Sequence, residues 1–348
     1  MNRIKLPILL AILAATCYGV SAPVSKFLLS ELPPTFMAAL LYLGAGFGMA
    51  IVNLFKSGKQ NEQKEARITR RETPYVVAMI VLDIAAPIAL MFGLSMTTPA
   101  NASLLNNFEI VATSLIALII FKEAVGKDMW VAIGLITLSS IILSFEDINS
   151  LSFSFGSILV LIACICWGFE NNCTRMLSLK NPLQIVAIKG FGSGFGALII
   201  AIALRELSFN ALFISYALLL GFFAYGMSIY FYILAQRELG AARTSAYYAV
   251  APFIGVGLSF VVFGQPITAT FIAALVIMVF GAYFAAVEKH KHIHTHEGVE
   301  HEHRHSHSDG HHDHIHADPV TEHSHVHRHD HKTHEHNHTP DTHHRHTH

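Results

Sequence analysis

Three carboxylates in this chain stand where an acid is costly. Asp83 and Glu109 each lie about half way along an apolar run, and Glu170 interrupts another, within C-I-C-W-G-F-E-N-N-C-T-R from Cys164 to Arg175. An acid at such a depth faces a cavity, a cation or a hydrogen-bonding partner. Around Glu109, helical spacing gathers Ser103, Asn106, Asn107, Thr113 and Ser114 within an arc of roughly 160°. This face either lines a polar cavity, its carboxylate taking a cationic group, a metal or a proton, or is satisfied inside the bundle by contacts among acids and asparagines. Glu170 also has two readings. The turn after its helix centres near residues 179 and 180, which sets Glu170 level with Lys189 on the next antiparallel helix and predicts an ion pair. Cys166, Glu170 and Cys173 also share one face at i, i+4 and i+7, an arc of roughly 60°, and two thiols with a carboxylate suit a soft or borderline metal. Tyr225 and Tyr247 are the aromatic candidates for ligand contact, amid rings that otherwise read as packing.

A second region carries different chemistry. All 24 histidines lie at or after His290, in a His-x-His pattern mixed with acids and almost free of large apolar residues. Such a tail, residues 289–348, cannot build a core and is expected to be disordered when metal-free. Its imidazoles, His301, His303, His305, His307, His311, His312, His314 and His316 among them, are ready ligands for nickel, cobalt, zinc or copper. Nothing in the chain requires a cofactor.

The elements that must hold the three acids follow from composition. With 53% hydrophobic and 14% charged residues, the chain has too little polar surface for a soluble globule of this size. Ten apolar runs emerge, at 6–29, 34–55, 74–95, 98–121, 127–144, 153–177, 181–204, 211–235, 240–263 and 267–288. The first follows Arg3 and Lys5 as a signal peptide would, but its length makes it a retained helix. The four cysteines fall within these runs, as small packing residues or soft ligands rather than disulfides. Lysine and arginine collect on one side of the membrane and Arg205 alone on the other, so both termini are expected in the cytoplasm of an inner-membrane protein. No G-x-x-x-x-G-K-[ST] loop is present to drive a pump, and without histidine or a nucleophile and base pairing in the spans an enzyme is not expected. Nor is a nucleic-acid partner; small molecules, lipid, metal on the tail and a homodimer are.

The runs repeat. At a shift of 149, Cys17, Tyr18, Gly19, Ser25 and Lys26 fall on Cys166, Trp167, Gly168, Thr174 and Arg175; at 148, Pro34, Ala39, Gly44, Gly46, Phe47 and Gly48 fall on Pro182, Ala187, Gly192, Gly194, Phe195 and Gly196. At 142, Ala100, Ser103 and Phe121 fall on Ala242, Ser245 and Phe263, and Asp83 on Tyr225. Five spans per copy is odd, so the copies enter the membrane from opposite sides, an arrangement that sets a binding site near the midplane. The expected fold is all-α and integral to the membrane, with repeats at 1–145 and 153–288 and the tail beyond.

These features resemble the EamA-like branch of the drug/metabolite transporter superfamily over residues 4–288: the W-G-F-E-N-N-C-T-R helix opening the second half, and A-x-x-S helices ending near Phe121-Lys122-Glu123 and Phe263-Gly264-Gln265. The resemblance implies a secondary transporter of small metabolites, often an exporter, with a cavity lined mainly by spans one, three, four, six, eight and nine. Gln265 departs from it by replacing a glutamate, as does Ile110, standing where the second half keeps Pro252. The expectation is therefore export of a small polar metabolite, bound by Asp83, Asn106, Asn107, Glu109, Glu170, Tyr225 and Tyr247. The alternative is export of a divalent metal gathered by the tail and passed by the acids with Cys166 and Cys173.

Overall fold

The computed structural model describes residues 5–57, 70–121, 125–147, 152–177, 181–239, 244, 247–264 and 266–287, with four short stretches of the tail. Among these residues nine helical stretches are long and apolar enough to cross a membrane, and Ala251–Phe263 is a shorter apolar helix. It falls in the expected run 240–263, whose first part lies largely outside the described residues.

The first run is two helices, α1 (Lys5–Gly19) and α2 (Ser21–Leu28). Pro23 has no N–H for the carbonyl of Gly19 four residues back, which accounts for the interruption at Val20. Then come α3 (Pro34–Ser57) and α4 (Thr73–Met96). The fourth run is split into α5 (Pro99–Leu105) and α6 (Phe108–Ile119). After α7 (Lys127–Ser144), a short antiparallel ribbon, β1 (Phe145–Asp147) with β2 (Ser152–Phe153), leads to α8 (Phe155–Leu177). Helix α9 (Pro182–Ala203) begins under the Asn181 side chain, which accepts from the N–H groups of Leu183 and Gln184. The eighth run is α10 (Ala211–Gly221), a π-helical turn (Phe222–Met227) and α11 (Ser228–Leu239). The last helices are α12 (Ala251–Phe263) and α13 (Ala269–Val287). Runs one, four and eight are thus each a single candidate span with an interruption inside it.

Helix α3 packs along α9, α4 along α8, α7 along α13, α1 along α11, and α5 against α12. Small residues permit the closest of these approaches. A Cβ built on Gly190 would stand 2.4 Å from the Cα of Gly46, so Gly190 accepts no side chain without parting α3 from α9, and one built on Gly46 would meet the Gly190 and Phe191 backbone at 3.0 Å. Large apolar side chains such as Met37, Leu41, Met91 and Leu104 fill the interior. Lys26 donates to the carbonyls of Leu94, Ser95 and Thr97 at 2.6, 3.0 and 3.0 Å. It thereby caps the end of α4, where helix carbonyls lack partners and the dipole favours a cation.

In the tail, His290–His296 pairs antiparallel with Lys332–His338, and Glu300–Ser306 with Glu322–Arg328. A two-stranded ribbon without an apolar face is marginal by itself. The side chains there, including every histidine expected to hold metal, lie outside the described residues.

Candidate functional site

Helices α4, α8 and α9 meet around a buried charge cluster. The Nζ of Lys189 on α9 is 2.8 Å from Glu170 Oε1 on α8 and 3.3 Å from Asp83 Oδ2 on α4. The side chains of Asp83, Glu170 and Lys189 are 0%, 2% and 7% exposed. The ion pair of Glu170 with Lys189 is therefore present, and Asp83 completes a triad. From α3, Tyr42 donates its hydroxyl to Asp83 Oδ1 at 2.8 Å, and Trp167 Nε1 on α8 donates to that hydroxyl at 3.5 Å. Thr174 donates to Glu170 one turn away. In α4, Pro87 lacks the N–H that the carbonyl of Asp83 would otherwise receive, loosening the helix beside the acid.

Glu109 has partners of its own. Asn171 Nδ2 on α8 donates to Glu109 Oε1 at 2.6 Å and to Thr113 Oγ1 at 3.3 Å, and Asn172 Nδ2 donates to the carbonyls of Thr113 and Gly168. The acid is thus met by asparagine, but by one from the neighbouring helix.

The single polar face drawn through Ser103 and Ser114 does not run straight. At Asn106 and Asn107 the backbone tightens, the N–H of Asn107 bonding Leu104 O, that of Glu109 bonding Asn106 O and that of Ile110 bonding Asn107 O, each three residues back. Asn106 is buried, and Asn107 Nδ2 donates to Leu104 O at 3.2 Å. Asn107 Oδ1 and Ser103 Oγ are buried with no hydrogen-bond partner among the described residues.

Aromatic rings adjoin this centre. Tyr225, in the π-helical turn, lies 5.4 Å from the ring of Tyr42 and 6.0 Å from that of Tyr18, and its hydroxyl accepts from Ser21 Oγ at 3.4 Å. A π-turn inside a helix is often found at functional sites. Tyr248 stacks on Tyr18 at 6.0 Å and meets Tyr232 edge-on at 5.0 Å, whereas its neighbour Tyr247 is 37% exposed. Sequence reasoning missed Tyr18, Tyr42, Trp167 and Tyr248. The repeat held one signal, since Tyr18 and Trp167 are equivalent positions flanking the same centre.

Cys173 is buried and Cys166 half-buried, and the carboxylate between them is engaged by Lys189 and Thr174. Among the described residues no three His, Cys, Asp or Glu side chains are grouped as a metal site requires. A groove of about 710 Å³ lies elsewhere, on the opposite face of α4, lined by Val81, Ile84, Ile88, Phe92, Phe155 and Ile200 among others. Its apolar walls suit lipid, and it touches none of the three acids.

A bundle of apolar helices wrapped around buried charge defines a multi-pass membrane protein. The sequence pattern of the EamA-like transporter family matches residues 5–145 and again 154–287, and the chain belongs to that family. An uncharacterized transporter of Methanothermobacter thermautotrophicus is 28% identical over 274 residues, covering 74% of this chain and 79% of its own. The uncharacterized transporter YyaM of Bacillus subtilis is 22% identical over 277 residues, covering 77% and 89%. A crystal structure of another protein aligns with a TM-score of 0.58 at 16% identity, spanning 80% of this chain and 95% of that one, a likeness of fold. Family and relatives together make this chain a membrane transporter.

Proposed function

We propose that the chain is a secondary transporter that exports a small polar metabolite by alternating access between two inverted five-helix repeats. The observation that carries this reading is the buried network of Asp83, Lys189, Glu170, Glu109 and Asn171, which draws polar groups from α4, α6, α8 and α9 into the centre of an apolar bundle. Two carboxylates share one ammonium there and a third, Glu109, is met only by amide, so the site favours a cargo with a positively charged group, and the rings of Tyr42, Tyr225 and Trp167 suit such a group.

The helix packing supports the inverted repeat. The sequence shifts carry the pair α4 and α8 onto α11 and α1 and the pair α6 and α8 onto α12 and α1, and carry α3 with α9 and α7 with α13 onto themselves. The interruptions support it as well, because Asn106 and Tyr248 are equivalent at a shift of 142 and each adjoins a break, the second ahead of Pro252. Half-helices at the midplane are the usual place for transported substrates. The lysine and arginine bias supports cytoplasmic termini in an inner membrane, with a tail that is disordered without metal and binds divalent ions there.

The test is a proteoliposome uptake panel of amino acids, nucleobases and radiolabelled nickel, zinc and cobalt. Uptake of a metabolite that is lost in Asp83→Asn and Glu109→Gln is expected. The histidine tail favours a second reading, export of a divalent metal as the cargo. Metal flux that falls in Cys166→Ser and Cys173→Ser, with no metabolite uptake, replaces the first reading by the second.

A further inference from the structure

The repeat relates the two ends of the pathway, and the two ends differ in chemistry. Asp83, Glu170 and Lys189 are equivalent to Tyr225, Ser21 and Leu41. Where three charges meet on one side, the other has a buried leucine and a hydroxyl contact of 3.4 Å between Ser21 and Tyr225, and its cation, Lys26, bonds backbone carbonyls nearer the helix end with no carboxylate among them. The surrounding network follows suit: Glu109, Thr113, Asn171, Asn172 and Thr174 correspond to Ala251, Gly255, Ala22, Pro23 and Ser25.

The triad also lies to one side of the midplane. Glu170 stands seven residues before the end of α8 and Lys189 seven after the start of α9, so both lie about 10 Å from the helix ends on the side of the chain termini. Ser21 and Leu41 hold the same places relative to the opposite side. Beyond the triad, Met79, Leu177 and Ile185 from the same three helices form a buried apolar cluster between it and the terminus side.

We propose that the triad and this apolar plug together latch the terminus-side mouth of the pathway, and that the uncharged counterpart leaves the other mouth weaker. The terminus-side mouth is accordingly the harder of the two to open, and loading from the terminus side begins with release of Lys189 from its carboxylates. The ammonium acts as a tethered cation that bridges α4 and α8 from α9, and apolar packing of Met79 against Leu177 and Ile185 follows that bridge. This inference rests on the alternating-access reading above.

The probe is a cysteine at the plug. Met79→Cys is placed in the full chain with Cys17, Cys164, Cys166 and Cys173 replaced by serine, and a membrane-impermeant maleimide is applied from the terminus side of proteoliposomes. Slow labelling is expected, rising about tenfold or more on adding Lys189→Met, as for a closed state losing its bias. The triple change Asp83→Asn, Glu170→Gln, Lys189→Met removes all charge together, leaves no unpaired buried ion, and is expected to speed labelling as much. Ser21→Ala, on the counterpart side, is expected to leave the rate unchanged. A parent labelled as fast as the denatured protein, a triple variant labelled no faster than the parent, or an equal rise in Ser21→Ala would each overturn the latch. Labelling needs no cargo, so it reads the latch separately: failure of the uptake panel with these rates as expected removes the transport reading alone, and the converse removes the latch alone.

Discussion

Replacing Lys189 by methionine removes a cation that two carboxylates share. Asp83 and Glu170 are 0% and 2% exposed, so the change strands charge in a dry interior, where removing one partner of a buried pair costs about 3–5 kcal/mol. Glu170→Gln is milder. It leaves Lys189 3.3 Å from Asp83, and its cost is nearer the about 1–3 kcal/mol of a buried group with an unmet partner. For an isolated pair, the double variant would recover most of the loss. Here it does not, because Asp83 is still without its cation and keeps Tyr42 at 2.8 Å as donor. Recovery requires Asp83→Asn as well, and the neutral triple variant should return to within about 1 kcal/mol of the parent. The order of stability is then parent and triple, Glu170→Gln, the double variant, and Lys189→Met. The assay is denaturant or thermal unfolding of detergent-purified protein, where about 1.4 kcal/mol is a tenfold change in the folded ratio. A Lys189→Met variant as stable as the parent, or losses that simply add through the series, would refute the triad.

Lys26→Met should lower stability by about 1–3 kcal/mol by exposing the carbonyls at the end of α4, with Lys26→Arg retaining much of it; thermal unfolding checks both. Gly190→Leu should reduce the yield of monodisperse protein severely, since its Cβ alone would stand 2.4 Å from Gly46, and size-exclusion profiles measure this. On the proposed function, in which the tail is a separate chelator, truncation after Lys289 should abolish nickel binding in equilibrium dialysis while metabolite uptake stays within about twofold. Reporters fused after Phe121 or Glu288 should report cytoplasm and one after Arg205 the outside, and reversed signals would overturn the charge argument.

The spans were legible because apolar runs of bilayer length are a strong signal, and the pairing of Glu170 with Lys189 followed from counting outward from one turn. Asp83 entered the triad unseen, for its position depends on how α4 lies along α8, a contact between distant parts of the chain. Tyr42 was hidden for the same reason. The break at Val20 and the start of α12 had readable causes in Pro23 and Pro252, but run four is interrupted at Asn106 and Asn107, where Ile110 replaces the expected proline. Tyr247 and Tyr248 are adjacent on one short segment, and only packing decides which ring turns inward.

The contact of Gly46 with Gly190 can also be read as mechanics. If the halves rock about that point, it is the fulcrum, and Lys189 is its immediate neighbour in the chain. The start of α3 lies twelve residues from Gly46, about 18 Å along the axis, so a tilt of 10° swings that end by about 3 Å. Backbone next to the fulcrum barely travels. Under the proposed rocking, the charges near it would exchange partners by side-chain rotation over a fraction of that distance, and the seal at Ile185, five residues from Gly190, would shift by about 1 Å. Under that proposal, a short electrostatic stroke would be geared to a longer opening at the far end of α3.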